Sequence, residues 1–218
     1  MRRFQSLFRF LFLIVVAGCF AGNAFADVYN FTELWLGSPT YAMGISGSNI
    51  VGFYGWGPGY ENPGFIYNGT DLQKLNAPGG YETCAYGISG NNIVGYYAEV
   101  FHRPDGDVSA FYGFLYNGTA WQTFDPSGCW YTIATGISGS NIVGYYLGSD
   151  GRFHGFLYNG TTWQTLDAPG AWQTYAFGIS GNNIVGYFTD SSGNTHGFFY
   201  NGSAWQTLDV PGASMALT

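Results

Sequence analysis

Short apolar runs separated by turn residues follow one another along most of the chain. In the run from Gly155 to Tyr158, Phe156 and Tyr158 point to one face of a strand and Leu157 to the other. A two-layer sandwich would leave one face of each sheet polar, whereas sheets covered on both sides give nearly continuous apolar runs of this kind. The pattern therefore predicts short strands in sheets that pack against neighbours on both faces.

One pattern of four strands occurs four times. The sequence Gly-Ile-Ser-Gly begins at Gly44, Gly87, Gly136 and Gly178, at spacings of 43, 49 and 42 residues. Each copy contains a Gly-Ile-Ser segment, an Asn-Ile-Val-Gly segment, a Tyr-Asn-Gly segment and Trp-Gln-Thr-Leu or a relative, which we name strands a, b, c and d. The Asn-Gly between strands c and d predicts a hairpin with a type I′ turn. A period of about 40 to 50 residues is typical of propellers and other repeat arrays.

The residue sizes along each copy predict where its strands lie. Strand a contains small residues such as Thr174, Ala176 and Gly178, as a crowded inner position requires, and strand d alternates like a half-exposed outer strand. We therefore expect an all-β, β-propeller-like array of four-stranded antiparallel blades. The units start near residues 40, 83, 132 and 174 within a single domain over 27–218. Because Phe31-Thr32-Glu33-Leu34 resembles a fifth strand d, four to five blades are expected, in a ring with a spare strand or in an open array.

The first 26 residues resemble an export signal. Arg2 and Arg3 precede an apolar segment, and Ala24-Phe25-Ala26 matches a signal-peptidase site, which predicts a mature chain that starts at Asp27. A second interpretation stays open, since the residues before Cys19 resemble a lipobox, and Cys19 would then be lipidated. Both interpretations export the protein, to the periplasm, the envelope or the outside of the cell. No transmembrane segment is expected in the mature chain.

Composition and charge narrow the function classes. Aromatic residues make up 20% of the chain and charged residues only 9%, which excludes a disordered chain. Without the first 26 residues, Lys74, Arg103 and Arg152 remain against 13 acidic residues, a formal net charge of about −10. A chain this acidic is not expected to bind nucleic acid. Cys84 and Cys129 permit one disulfide, or they are two small buried residues.

The stretch HGFLYNGTTWQTLDAPGAWQTYAFGISGNNIVG, from His154 to Gly186, resembles the exported bacterial repeats of the HAF family. The family's His-Ala-Phe motif corresponds here to His154-Gly155-Phe156 and His196-Gly197-Phe198, with Gly in place of Ala. Pro63 and Tyr112 take the His position in the first two copies. The resemblance covers nearly all of the mature chain. It implies an extracellular or envelope protein with no assigned enzymatic reaction.

Residues that recur at the same place in several copies are best interpreted as structural. Asp125, Asp167 and Asp209 follow strand d in a turn, and His154 and His196 precede strand c. No paired spacing of His or Cys indicates a zinc site, and the loops near Asp150 and Asp190 lack the carboxylates of a calcium loop. We therefore expect neither a metal nor a cofactor.

The variable connections indicate where function resides. Because the strands alternate in direction, the b–c loops and the d–a connections share one side of the array, which we call the loop face. Functional residues concentrate on variable loops held by a rigid scaffold. Its candidate ligand-binding residues are mostly aromatic and include two basic groups: Trp56, Tyr60, Tyr81, His102, Arg103, Trp130, Phe153 and Trp172. Alternatively, these aromatic residues only fill the blade junctions.

Three function classes follow. The first is a non-catalytic module that binds a glycan or a surface partner through the loop face, since aromatic rings stack on the C–H faces of sugars. The second is a structural or matrix protein that self-associates through its spare outer strand. A glycoside-active enzyme is a distant third, because it needs paired carboxylates, for which only Glu82, Glu99, Asp105 and Asp107 are candidates.

Overall fold

A computed structural model describes residues 39–55 and 62–209. The chain divides into two compact units, Met1–Glu33 and Leu34–Thr218. The first unit lies outside the described residues, as do the predicted cleavage site at Ala26 and Asp27, Cys19, Trp56, Tyr60 and the strand d expected at Phe31–Leu34. No helix in the described part of the chain has the length and apolarity needed to cross a bilayer.

The described part of the second unit contains four antiparallel sheets of four strands, and in each sheet the strands pair in chain order. This arrangement confirms the prediction of an all-β, propeller-like array of four-stranded blades. The strands of blade 1 are β1 (Thr40–Ser46), β2 (Asn49–Tyr54), β3 (Gly64–Tyr67) and β4 (Leu72–Leu75). Those of blade 2 are β5 (Glu82–Ser89), β6 (Asn92–Phe101), β7 (Val108–Tyr116) and β8 (Trp121–Phe124).

Blade 3 consists of β9 (Thr132–Ser138), β10 (Asn141–Leu147), β11 (Phe153–Tyr158) and β12 (Trp163–Leu166). Blade 4 consists of β13 (Ala171–Ser180), β14 (Asn183–Asp190), β15 (Thr195–Tyr200) and β16 (Trp205–Leu208). One turn of 3₁₀ helix, Pro126–Gly128, lies in the connection from blade 2 to blade 3. The four strands of each blade correspond in order to the predicted a, b, c and d.

The turn between strands c and d is a hairpin, but its central residues are not the predicted Asn and Gly. Asn68 N–H donates to the carbonyl of Asp71, so that Gly69 and Thr70 are the two central residues. Gly69 has a φ of +100° at the first central position, as in a type II′ turn. The Asn68 side chain explains the shift, because its Oδ1 accepts hydrogen bonds from the N–H groups of Thr70 and Asp71. The other three c–d turns have the same asparagine contacts.

The core lies between the blades, and the same residues build it at each junction. We call the side of a blade that meets the preceding blade its leading face and the opposite side its trailing face. The trailing face supplies a valine from strand b and a leucine or phenylalanine from strand d, and the leading face supplies an alanine, two isoleucines and a phenylalanine. Between blades 2 and 3 these residues are Val94 and Phe124 against Ala134, Ile137, Ile142 and Phe156. The junctions on either side repeat this set with few changes.

Close approach of neighbouring strands a explains the repeated Gly-Ile-Ser. A Cβ atom on Gly87 would lie 3.3 Å from the Cα of Gly136 in the next blade. The strand a serines of blades 1, 2 and 3 each accept a hydrogen bond from a backbone N–H of the next blade, as Ser89 Oγ does from Gly139 at 3.1 Å. The glycine and the serine therefore belong to the junction between blades.

Candidate functional site on the loop face

The structure brings the b–c loops and the d–a connections together, as the strand directions require. Leu147 N–H, at the end of strand b in blade 3, donates to the carbonyl of Tyr131 at 2.9 Å. Phe111 N–H, in strand c of blade 2, donates to the carbonyl of Trp130 at 2.8 Å. The connection from blade 2 to blade 3 is therefore fixed by backbone hydrogen bonds to both blades.

An open cleft of about 500 Å³ lies beside this connection. Its walls combine one side of the connection with the b–c loop of blade 3, and its lining residues are Gly128, Cys129, Trp130, Tyr146, Leu147, Gly148, Ser149, Asp150 and His154. The Trp130 side chain is half exposed, at 50%. The cleft thus places an accessible indole, a tyrosine ring, a carboxylate and an imidazole around one space.

His154 is held between two carboxylates at the edge of the cleft. Its Nδ1 lies 2.9 Å from Asp167 Oδ1 and its Nε2 lies 3.1 Å from Asp150 Oδ1, while its ring stacks on Tyr146. Burial alone would lower the pKa of His154, but the hydrogen bonds to Asp150 and Asp167 outweigh it and raise the pKa above its ordinary value. The His154 contact in turn lowers the pKa of Asp150, helped by the N–H of Arg152.

Blade 4 repeats this arrangement. His196 lies 3.0 Å from Asp209 and 3.5 Å from Asp190, and its ring stacks on Phe188. The contact with Asp209 raises the pKa of His196, and hydrogen bonds from Asn194 lower that of Asp190 to about 2. Each histidine therefore joins a b–c loop to the residue after strand d, in agreement with the structural role predicted at this position. The described residues contain no group of three or more His, Cys, Asp or Glu side chains arranged for a metal ion.

Two tryptophans of the loop face each make a cation–π contact with an arginine. The Arg103 guanidinium lies 4.6 Å from the ring centroid of Trp130, and that of Arg152 lies 3.7 Å from that of Trp172. Trp172 is 46% exposed and takes the position of Trp130 at the next junction. Arg103 is not among the residues that line the cleft. It therefore holds the Trp130 ring without filling the space beside it.

Arg152 is a residue that the sequence analysis missed. Its signal was available, because Arg103 and Arg152 are two of only three basic residues after residue 26 and both lie on b–c loops. The cleft itself had no such signal, since it depends on how a loop of one blade approaches the connection from another.

The remaining predicted residues lie apart from the cleft. Tyr81 lines a smaller cleft of about 80 Å³ near Asn62. His102 lies 2.9 Å from Asp107 at an exposed part of the β6–β7 hairpin. Phe153 packs against the rings of Tyr131, Tyr145 and Tyr175, which fits the alternative that aromatic residues fill the blade junctions.

Cys84 and Cys129 are both free in the structure, so the disulfide that the sequence permits is not formed. Cys84 is buried in strand β5, where its Sγ contacts Glu82 Oε1 at 3.4 Å, and burial raises the pKa of its thiol. Cys129 instead lines the cleft on the connection between blades 2 and 3. Glu82 also accepts a hydrogen bond from the Tyr96 hydroxyl at 2.9 Å.

No family model matches the chain, and no curated protein matches it. Membership of the HAF family therefore stays a prediction. Among solved structures, the chain is similar to the fucose-specific lectin of Aleuria aurantia, described as a six-bladed β-propeller, at 17% identity over 82% of this chain and 64% of that one, with a TM-score of 0.44. It is also similar to a GH32 β-fructofuranosidase of Bombyx mori, at 11% identity over 78% and 49% of the two chains, with a TM-score of 0.41. The chain thus spans between half and two thirds of these proteins, and similarity at this level identifies neither a ligand nor an activity.

Proposed function

We propose that this chain is a secreted or envelope-associated, non-catalytic module that binds a neutral glycan in the cleft beside Trp130. The observation that carries the proposal is the half-exposed Trp130 indole at an open cleft that also contains Asp150 and His154. The C–H face of a sugar ring stacks on such an indole, and its hydroxyl groups need short polar partners near the ring. Both requirements meet in this one space.

Electrostatics favour a neutral glycan over an acidic one. The chain after residue 26 has a formal net charge of about −10, which repels polymers of uronic or sialic acids over distances of about a Debye length. Asp150 supplies acceptor atoms for sugar hydroxyls, and its lowered pKa keeps it ionised in mildly acidic surroundings.

Repetition supports the same function. The pair formed by Trp172 and Arg152 at the junction of blades 3 and 4 matches the pair formed by Trp130 and Arg103 at the preceding junction. A polysaccharide carries the same sugar at regular intervals, and two similar sites on one rigid array would raise the apparent affinity through effective concentration. The export signal predicted at residues 1–26 would bring the chain to where such polymers occur.

Two of the four carboxylates that the sequence offers for glycoside hydrolysis have other contacts. Glu82 is hydrogen-bonded by Tyr96 and contacted by Cys84, and Asp107 pairs with His102 on an exposed hairpin. These contacts support a binding role over a catalytic one. Self-association through a spare outer strand depends on Phe31–Leu34, outside the described residues, and stays a prediction.

A glycan array probed with residues 27–218, followed by affinity electrophoresis in the best neutral polysaccharide, tests the proposal. We expect Trp130→Ala to abolish retardation in the gel while the melting temperature stays unchanged, because the exposed indole contributes little to the core. Trp163→Ala is the matched control. Its ring is 38% exposed on outer strand β12 but packs on Phe124 and Phe156, so it should lower the melting temperature and leave retardation intact. Full retardation of the Trp130→Ala variant would refute the proposal.

A further inference from the structure

The first and last of the four described blades expose residues whose equivalents are buried in the other blades. On the leading face of blade 1, Ile45 is 69% exposed, whereas its equivalents Ile88 and Ile137 are 7% and 8% exposed. On the trailing face of blade 4, Val185 is 44% exposed, whereas Val51, Val94 and Val143 are completely buried. The outer strand shows the same contrast, with Leu208 at 47% against Leu166 at 1%. These two end faces are the two halves of the junction that occurs three times inside the chain.

The hydrogen bonds of the junction are also incomplete at both ends. Ser46, Ser89 and Ser138 each accept a bond from an N–H group of the next blade, at 3.0 to 3.1 Å. Within residues 39–55 and 62–209, neither the Ser180 hydroxyl on blade 4 nor the Gly47 N–H on blade 1 makes the corresponding bond. One end thus presents the acceptor and the other end the donor that this bond requires.

The glycines of strand a also show that blade 4 has one half of a junction. Cβ atoms on Gly44, Gly87 and Gly136 would each contact the backbone of the next blade, at 2.9 to 3.5 Å. A Cβ on Gly178 would contact only Val185 of its own blade. Blade 4 therefore retains the close-approach glycine of a junction although no described blade follows it.

We propose that two copies of this chain associate head to tail, with the trailing face of blade 4 of each copy on the leading face of blade 1 of the other. The occupant is a second copy because each chain carries both halves of one interface. The same residue types pack against each other at the three internal junctions. With the four described blades of each copy, two such contacts would close a ring of eight blades and cover both exposed end faces of each copy, and eight blades lie within the usual range of propellers. The contact would also cover the exposed apolar residues of both ends.

Light scattering coupled to size exclusion, and native mass spectrometry, test this on residues 27–218. We expect the mass of two chains. Because Val94 and Ile137 share one cluster in an internal junction, Val185 and Ile45 would be opposed across the new one. Ile45→Lys and Val185→Glu should each weaken the dimer by about a hundredfold, since each places an unpaired charge in an apolar contact.

Mixing the two variants should restore a dimer that contains one copy of each, because the introduced lysine and glutamate then face each other at one junction and the other junction is unchanged. Phe101→Lys is the matched control, at an exposed apolar residue of β6 away from both end faces, and should leave the dimer intact. Monomers at every concentration would overturn the proposal, and this is the result expected if residues 27–38 of the same chain covered an end face. A dimer insensitive to both charge variants, or a mixture that stays monomeric, would also overturn it.

A finer comparison uses the junction serine. Ser180→Ala removes the acceptor only at the proposed contact and should weaken the dimer by about threefold to tenfold without changing the stability of the dissociated chain. Ser138→Ala removes the same acceptor at an internal junction, where it bonds Gly181. That variant should lower the stability of the chain and leave the dissociation constant unchanged. Identical effects of the two variants on association would contradict the placement of Ser180 in the interface.

Discussion

A buried threonine lies at the same position of strand a in blades 2, 3 and 4, but its hydrogen bond is missing in blade 3. Thr83 Oγ1 accepts a bond from Ala77 N–H at 3.0 Å, and Thr174 Oγ1 accepts one from Ala168 N–H at 3.1 Å. Before Thr132 the equivalent residue is Pro126, which has no N–H to donate. All three threonines are buried, at 0% to 2% exposure, and Thr132 Oγ1 has no partner in the described part of the chain.

The same substitution should therefore have opposite effects at equivalent positions. Thr83→Val and Thr174→Val each leave a backbone N–H buried and unpaired, which costs about 1 to 3 kcal/mol. Thr132→Val removes a hydroxyl that is already buried and unpaired and keeps the shape of the side chain. Since an unpaired buried hydroxyl costs about 1 to 3 kcal/mol, we expect this variant to raise the free energy of unfolding by about 1 kcal/mol.

Equilibrium unfolding in urea measures the three variants, with the slope of the transition as a check that the unfolded state is unchanged. For a domain of this size, 1 kcal/mol corresponds to a shift of about 2 to 4 °C in melting temperature. Pro126→Ala is the converse control. It supplies the missing N–H, and in that background Thr132→Val should become destabilising. If Thr132→Val destabilises the wild-type chain as much as Thr83→Val does, the Thr132 hydroxyl has a partner and the reasoning is refuted.

Two further predictions concern pH and the blade junctions. Because hydrogen bonds with carboxylates raise the pKa of His154 and His196, their contribution to stability is complete below the unfolded pKa of about 6.5 and is lost as the pH rises through the higher folded values. A His154→Gln, His196→Gln double variant should flatten the fall in unfolding free energy above that pH, and an unchanged pH profile would contradict the two histidine bridges. Gly87→Ala should destabilise the isolated chain by about 1 to 3 kcal/mol, because its Cβ would press on the backbone of the next blade. Gly178→Ala should cost less in dissociated chains, where its Cβ meets only the Val185 side chain, and equal thermal shifts in the two variants would argue against this explanation.

The fold could be predicted because the signal is local and occurs four times. A strand that is apolar on both faces needs cover on both sides, and a repeated unit provides it with its own neighbours. The c–d turn was predicted one residue out of position because the Asn68 side chain replaces part of the backbone turn, and an Asn-Gly pair does not show which residue is central. The unpaired hydroxyl of Thr132, in contrast, could have been found by aligning Pro126 with Ala77 and Ala168.

The sequence predicted which types of residue lie at the site but not how they are arranged. The variable connections placed three of these residues on the loop face: Trp130, Trp172 and Arg103. Which arginine stacks on which tryptophan could not be predicted, because it depends on the paths of loops that differ in length. Phe153 shows the limit of that reasoning, because one aromatic residue at the start of strand c packs inward while the adjacent His154 reaches the cleft. Successive side chains of a strand point to opposite faces, so the sequence shows that Phe153 and His154 lie on different faces but not which face is the inner one.

The connection from blade 2 to blade 3 departs from the repeat and also forms a wall of the cleft. It contains Pro126 and a 3₁₀ turn in place of the Ala-Pro-Gly of two other connections, and its end supplies Gly128, Cys129 and Trp130 to the cleft. The same Pro126 leaves the buried Thr132 hydroxyl without a donor. One connection therefore contains both the proline that leaves Thr132 unpaired and three residues of the cleft wall. If the glycan binds beside Trp130 as proposed, replacing this connection with the Ala-Pro-Gly sequence of the other two should stabilise the chain and weaken glycan binding together.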